Sequence, residues 1–308
     1  MKILVIGVPK RDSLIGFDNL VLGLSKLDVD FDHYPNIITQ SYNVIGTYQL
    51  KFDNANISYP EYPAIVENLK KGYYDLIITT VCRVDYKAGK HGFLSRLSRK
   101  VKYSLESNKY KMGGTLVADW LNKGIELPPF IVFDDTDEPF IWTVDFDLLL
   151  NCKAYFKRDM PLDRFFCFRL FESRLNKQQK IALAEKLRPA WISYDKDSLA
   201  HFTDIDKIKP YDERDIDISY LCNIHMNYNR IKILPMLDNL KTKYKVITTK
   251  DGKVSKNEFY EMSKRSKISV TIGGRSWDTM RHYELLLCGA LLFISRPNLE
   301  LPFDLIDG

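Results

Sequence analysis

SWDTMRHYELLLCGALLFISRP, residues 276–297, is the stretch whose reading decides the fold. It begins as a polar helix entrance, becomes an apolar helix over residues 279–288, passes Cys288-Gly289-Ala290 and leaves as a buried strand over 290–295. By helical spacing Trp277, Arg281, Glu284 and Cys288 share one stripe, and Met280, Tyr283 and Leu287 a neighbouring apolar one. Arg281 and Glu284 therefore sit together near the helix front. That end carries unsatisfied N–H groups and the positive end of the helix dipole, so backbone and Arg281 together hold a phosphate while Glu284 accepts hydrogen bonds from hydroxyls. The same two residues also read as an exposed ion pair worth a few tenths of a kcal/mol.

Working outward, residues 216–222, 244–248, 268–272 and 290–295 read as strands, and 231–240, 256–264 and 279–288 as the helices between them. The front of the chain alternates in the same way. Strands are expected at 3–8, 74–81, 129–133 and 154–157, and helices at 15–27, 60–71 and 114–122. Such alternation is the pattern of doubly wound parallel sheets, so the fold class is α/β with two Rossmann-like domains. No GxGxxG follows the first strand, which gives a dinucleotide cofactor little support. Residues 161–213 carry long charged stretches, Pro161, Pro189 and Pro210, and no repeat of strand and helix. The expected division is an acceptor-side domain at 1–160, its end plus a connector at 161–213, and a second domain at 214–308 that lacks a final covering helix.

At 308 residues the chain exceeds what one core usually supports, which agrees with two domains. A content of 45% hydrophobic and 28% charged residues is that of a soluble globular protein, with no apolar run near the ~20 residues of a membrane span. The opening MKILVIGVP is followed by Lys10, Arg11 and Asp12 and reads as a strand rather than a signal peptide. Cysteines at 82, 152, 167, 222 and 288 are odd in number and form no CxxC, so a cytoplasmic location is expected. The net charge of +5 argues weakly for an anionic ligand.

The string TIGGRSWDTMRHYELLLCGALLFISRP, residues 271–297, resembles the donor-binding half of glycosyltransferases of the GT-B fold, in which a glutamate-bearing helix runs through Cys-Gly-Ala into the next strand. DISYLCNIHMNYNRIKILPML (217–237) looks like the first strand, loop and helix of that half. VFDDTDEPFI (132–141) and AYFKRDMPL (154–162) look like segments of the acceptor-side half in a bacterial and phage branch. The resemblance implies two Rossmann-like domains facing a cleft and a nucleotide sugar, such as a UDP-sugar, as co-substrate without a further cofactor. It implies that Glu284 binds the ribose hydroxyls, that Gly273, Gly274 and the helix start approach the diphosphate, and that Arg281 and Arg230 neutralise it. Arg230 also reads as a solvated helix-front residue. Retaining members often carry a glutamate eight positions before the ribose-binding one; Ser276 stands there, which puts that retaining mechanism in doubt.

An inverting transfer needs a base for the acceptor hydroxyl. Asp134, Asp135 and Asp137 follow an expected strand, and three acids together raise one another's pKa. They read equally as a helix cap or as a DxD-like metal site, although no His or Glu completes a ligand set, so no metal is assigned. Asp18 and His91 are further candidates for the base. Residues 82–111 carry Lys87, Lys90, Arg96, Arg99, Lys100, Lys102, Lys109 and Lys111 against Asp85 and Glu106. The run is either a solvated surface or an acceptor site for an anionic polymer, with Arg96, Arg99, Lys100 and Lys102 at its centre and Phe93 and Tyr103 available for stacking. The expected activity is transfer of a sugar from a nucleotide sugar to an acceptor hydroxyl, on a glycan. The rivals are a glycosyltransferase acting on a hydroxymethylated base in DNA and a non-catalytic two-lobed binder of a small anion.

Overall fold

The computed structural model describes residues 1–7, 15–27, 29–34, 57–82, 113–190, 208–249, 254–274, 277–296 and 298–300. The first sheet holds β1 (Ile3–Ile6), β2 (Phe31–Tyr34), β3 (Ile57–Ser58), β4 (Leu76–Thr80), β5 (Phe130–Asp134), β6 (Ala154–Arg158) and β7 (Leu187–Ala190), in the order β3-β2-β1-β4-β5-β6-β7. Every pairing is parallel. Parallel strands covered on both faces must be apolar on both, and β1 shows why. Its Leu4 and Ile6 pack in one cluster with Ile65 and Leu69 of α2 (Tyr62–Lys70) and Val117 and Trp120 of α3 (Gly114–Asn122). Its Ile3 and Val5 pack on the other face with Val21 of α1 (Ile15–Lys26). The sheet is doubly wound, in the strand order of the Rossmann fold with one further edge strand.

Three strands escape the sequence reading. β2 carries Asp32 and His33 inside, and β3 is two residues long. Asp32 is tolerated because Lys2 Nζ lies 2.8 Å away, Tyr74 donates at 2.7 Å and Ser58 also donates. The stretch read as lacking alternation contains α5 (Lys177–Ala184) and β7, after α4 (Phe146–Asn151). Pro189 hid β7, yet proline is accommodated on an edge strand, where one side has no ladder to complete.

The second sheet holds β8 (Ile216–Tyr220), β9 (Val246–Thr248), β10 (Ser266–Thr271) and β11 (Leu291–Ile294), all parallel, in the order β11-β10-β8-β9. The helix expected at 231–240 is two, α6 (Tyr228–Lys232) and α7 (Leu234–Leu240). Pro235 explains the break, since its ring removes an N–H and clashes with the carbonyl four residues back, while the first turn of a new helix accepts it. α8 (Lys256–Lys264) begins with a reciprocal Ser255–Glu258 capping box, and α9 (Met280–Leu287) is capped by the Thr279 hydroxyl. No helix among the described residues is long and apolar enough to cross a membrane.

After β11 the chain returns to the first sheet's side. Leu299 bridges to Pro161, Glu300 N–H donates to the Met160 carbonyl at 2.8 Å, and the Glu300 carboxylate pairs with Arg164.

Candidate functional site

In the second sheet, β8 has β9 on one side and β10 on the other, with β11 beyond β10. The direction of winding therefore reverses between β8 and β10, and in open parallel sheets the crevice outside the carboxyl ends at such a reversal is where ligands bind. Arg230 spans this position. From α6 its Nη1 donates to the Asn223 carbonyl at 3.0 Å, beyond the end of β8. Its Nε and Nη2 donate to Ile272 O, at 3.0 and 2.8 Å, and Nε to Gly273 O at 3.1 Å, beyond the end of β10. Asn227 Nδ2 reinforces the junction by donating to Gly274 O at 3.0 Å. A Cβ on Gly274 would stand 3.3 Å from Arg230 Nη2, so glycine lets the loop lie against the guanidinium.

Arg230 is thus not the solvated residue that one sequence reading allowed. It is the third residue of the short helix α6, with only 6% of its surface exposed. The guanidinium's hydrogen-bond partners are neutral carbonyls, and among the described residues it forms no ion pair. A buried charge without a counterion is costly unless dipoles or an anion compensate it.

Glu284 and Arg281 of α9 stand beside this junction. The Glu284 carboxylate is 5% exposed, accepts from Tyr260 of α8 at 2.7 Å and lies 3.1 Å from Arg281 Nη1. The Arg281 guanidinium sits 3.7 Å above the Phe259 ring. The fields of Arg230 and Arg281 both reach the Cys222 thiol just past β8, although burial outweighs them and raises its pKa. Gly273, Gly274, Arg230, Arg281 and Glu284 are therefore gathered around one sheet edge. The ion pair considered from sequence forms, but its carboxylate faces inward while Arg281 stays partly exposed.

Sequence reasoning missed His282. Its Nε2 lies 2.8 Å from the Trp277 carbonyl, which only accepts, so the proton sits on Nε2 and Nδ1 is an acceptor. Burial lowers its pKa to about 4, with the Arg230 charge acting the same way and the carbonyl contact opposing, so the ring is neutral at physiological pH.

At the carboxyl edge of the first sheet the acids separate, contrary to the expected cluster of three. Asp134 is 1% exposed with both oxygens engaged. One accepts from Thr136 N and Oγ1 at 3.0 and 2.6 Å; the other accepts from Tyr155 OH at 2.9 Å and lies 3.4 Å from Lys157 Nζ. Asp135 is 2% exposed. The Asp137 side chain is 39% exposed and pairs with Arg158 at 2.9 Å. The most perturbed acid here is one no motif announced. Asp145, fully buried, has its pKa raised to about 8 by burial and by the charge of Asp134, against the Cys82 N–H donated at 2.6 Å and the Lys157 charge.

Arg158 joins the two edges. It donates to Asp135 O at 3.1 Å and to Asp278 O at 2.6 Å, and its Nε lies 3.6 Å from the Asp278 carboxylate. Among the described residues no group of three or more His, Cys, Asp or Glu is arranged to hold a metal ion. Asp18 falls on α1 with its side chain outside the described residues, and His91, Arg96, Arg99, Lys100 and Lys102 lie outside them entirely.

No protein-family profile and no curated protein sequence matches the chain. Among solved structures it is similar to a sucrose-phosphate synthase from Thermosynechococcus elongatus. That similarity has 10% identity and a TM-score of 0.39, and covers 96% of this chain and 81% of that one.

Proposed function

We propose that this chain is a nucleotide-sugar-dependent glycosyltransferase whose donor lies at the β8–β10 edge. The observation that carries the reading is the buried Arg230, a cation with no ion-pair partner among the described residues, set at the winding reversal of a parallel sheet. An anion there gains from that charge, from the positive end of the α9 dipole and from the close backbone approach at Gly273 and Gly274. The sequence resemblance gives the anion its chemistry: a diphosphate beside Arg281 and Arg230, with ribose hydroxyls donating to Glu284. Tyr260 holds the Glu284 carboxylate in place for that contact.

Asp137 is assigned as the base, because it is the acid of the three whose side chain reaches solvent while Asp134 has both oxygens engaged. It takes the proton of the acceptor hydroxyl as that oxygen bonds to the anomeric carbon. The bond from that carbon to the diphosphate oxygen breaks, and the diphosphate leaves with the electron pair into the field of the two arginines. Inversion follows from one displacement, in keeping with Ser276 at the position where retaining relatives carry glutamate. The acceptor is a hydroxyl on a glycan, with Arg96, Arg99, Lys100 and Lys102 serving an anionic one.

A panel of nucleotide sugars, read first by thermal shift and then by release of free nucleoside diphosphate, tests the reading. At least one donor is expected to raise Tm and to yield diphosphate in the presence of an acceptor glycan. Binding without release in the presence of any acceptor would leave an anion-binding protein in place of the enzyme, and no binding at all would refute the donor site.

A further inference from the structure

We propose that Arg158 and Asp159, at the exit of β6 in the first sheet, are positioning residues that set the start of α9, the helix bearing Arg281 and Glu284 in the second. The proposal rests on the donor-site reading above for its consequence in binding, and on side-chain geometry alone for its mechanism.

Each polar atom of Asp278 has a partner. Its N–H donates to Asp159 Oδ1 at 3.0 Å, and its carbonyl accepts from Arg158 Nη2 at 2.6 Å. One carboxylate oxygen accepts from Tyr283 OH at 2.9 Å, and the other lies 3.6 Å from Arg158 Nε. Asp278 immediately precedes Thr279, the cap of α9, so clamping its peptide fixes both the direction in which the helix leaves and the rotation about its axis. The preceding residue is held as well. Trp277 Nε1 donates to Ser295 O at 2.7 Å, and the Trp277 carbonyl receives His282 Nε2 at 2.8 Å. Three of these four contacts of Asp278 therefore come from two residues, Arg158 and Asp159, 119 or 120 positions earlier in the chain, and the fourth comes from Tyr283 of α9.

Two features mark the clamp as more than incidental packing. Arg158, Asp159 and Asp278 are all at most 5% exposed, so their contacts are made in an environment where a lost partner is expensive. Asp159 also sits at φ +53°, the left-handed region that a non-glycine residue occupies only when its surroundings hold it there. The conformation turns the Asp159 carboxylate toward Asp278 N–H. Arg158 at the same time reaches Asp137 and the Asp135 carbonyl, so one side chain ties the acid edge of the first sheet to the donor helix of the second.

Glycine and asparagine at 159 separate the hydrogen bond from the backbone. Asp159→Gly adopts φ +53° freely but removes the acceptor, whereas Asp159→Asn tolerates that φ and keeps an oxygen for Asp278 N–H. Amide hydrogen exchange over residues 277–284 of the full chain is measured beside titrations with UDP, GDP and ADP. Asp159→Gly is expected to exchange roughly fivefold to tenfold faster in that segment, and to bind the preferred diphosphate weaker by a similar factor, the worth of one buried hydrogen bond. Asp159→Asn is expected to match the wild type in both. Should the glycine variant fail to fold, Arg158→Lys, which keeps the charge but cannot span Asp278 and Asp135, is expected to show the same pair of effects. Unchanged exchange at residues 277–284 in a folded variant, or a diphosphate affinity equal to wild type, would overturn the positioning role. A wild type that binds none of the three diphosphates refutes the donor-site reading instead, and the exchange arm then decides the clamp by itself.

Discussion

Arg281 Nη1 lies 3.1 Å from Glu284 Oε2, one turn apart on α9, with the guanidinium over Phe259 and the carboxylate held by Tyr260. The pair is built from both sides, so its two members are separable by mutation. Glu284→Gln keeps an acceptor for Tyr260 and preserves the fold, yet loses the charged acceptor for hydroxyls. Arg281→Met keeps an apolar stem against Phe259 and loses the cation. Each is expected to weaken nucleotide-sugar binding by about 1–3 kcal/mol, the range for a hydrogen bond to a charged group. Calorimetric titration that finds donor affinity unchanged in both variants would contradict the site.

Asp145 makes stability depend on pH with a definite sign. Its folded pKa of about 8 stands far above the ordinary 3.8, so between those values the native state holds a proton that the unfolded state has released. Stability therefore declines as pH rises through that window and levels off above it. Asp145→Asn is neutral in both states and keeps an oxygen for Cys82 N–H. The Tm of the variant relative to wild type is expected to grow from about pH 5 to pH 8 and then hold steady. A pH-independent difference would show that Asp145 ionises normally.

Gly114 opens α3 where the helix meets the end of β4. A Cβ there would lie 2.5 Å from both Leu148 Cδ1 and Thr80 O and 2.7 Å from Cys82 N. Two of these are backbone atoms, so overpacking outweighs alanine's better helix propensity. Gly114→Ala is expected to cost about 1–3 kcal/mol in urea unfolding. Gly72 offers the contrast, with open space around its Cβ position but φ +64°, so Gly72→Ala should lose only about 1 kcal/mol from backbone strain. Equal losses at the two sites would argue against the tight α3–β4 contact.

Turnover is expected to survive chelation. On the proposed reading the diphosphate is balanced by Arg230, Arg281 and the positive end of the α9 dipole, so an excess of EDTA should leave initial rates within about twofold of the untreated enzyme. Loss of activity restored by magnesium or manganese would instead place a metal among Asp134, Asp135 and Asp137.

Local pattern carried much of this molecule. Apolar runs closed by turn residues marked the central strands, and α3 and α8 begin and end where their sequences say, because a helix stripe or a buried strand is written in residues a few positions apart. The gathering of Gly273, Gly274, Arg281 and Glu284 near one strand exit was legible for the same reason, since all lie within a short strand–loop–helix unit. What remained hidden was set by partners distant in sequence. Asp32 survives in β2 through Lys2, Ser58 and Tyr74, and Pro189 is tolerated in β7 only because that strand lies at an edge. Whether Asp134 is available or engaged depended on Tyr155 and Lys157 in the next strand, and the high pKa of Asp145 on burial together with the charge of Asp134. Arg230 turned inward because the exits of β8 and β10 present carbonyls to it, and the start of α9 is held by residues of β6 and its exit. Periodicity reports which face of an element is apolar, but burial, counterions and carbonyl partners exist only once separate segments have been brought together.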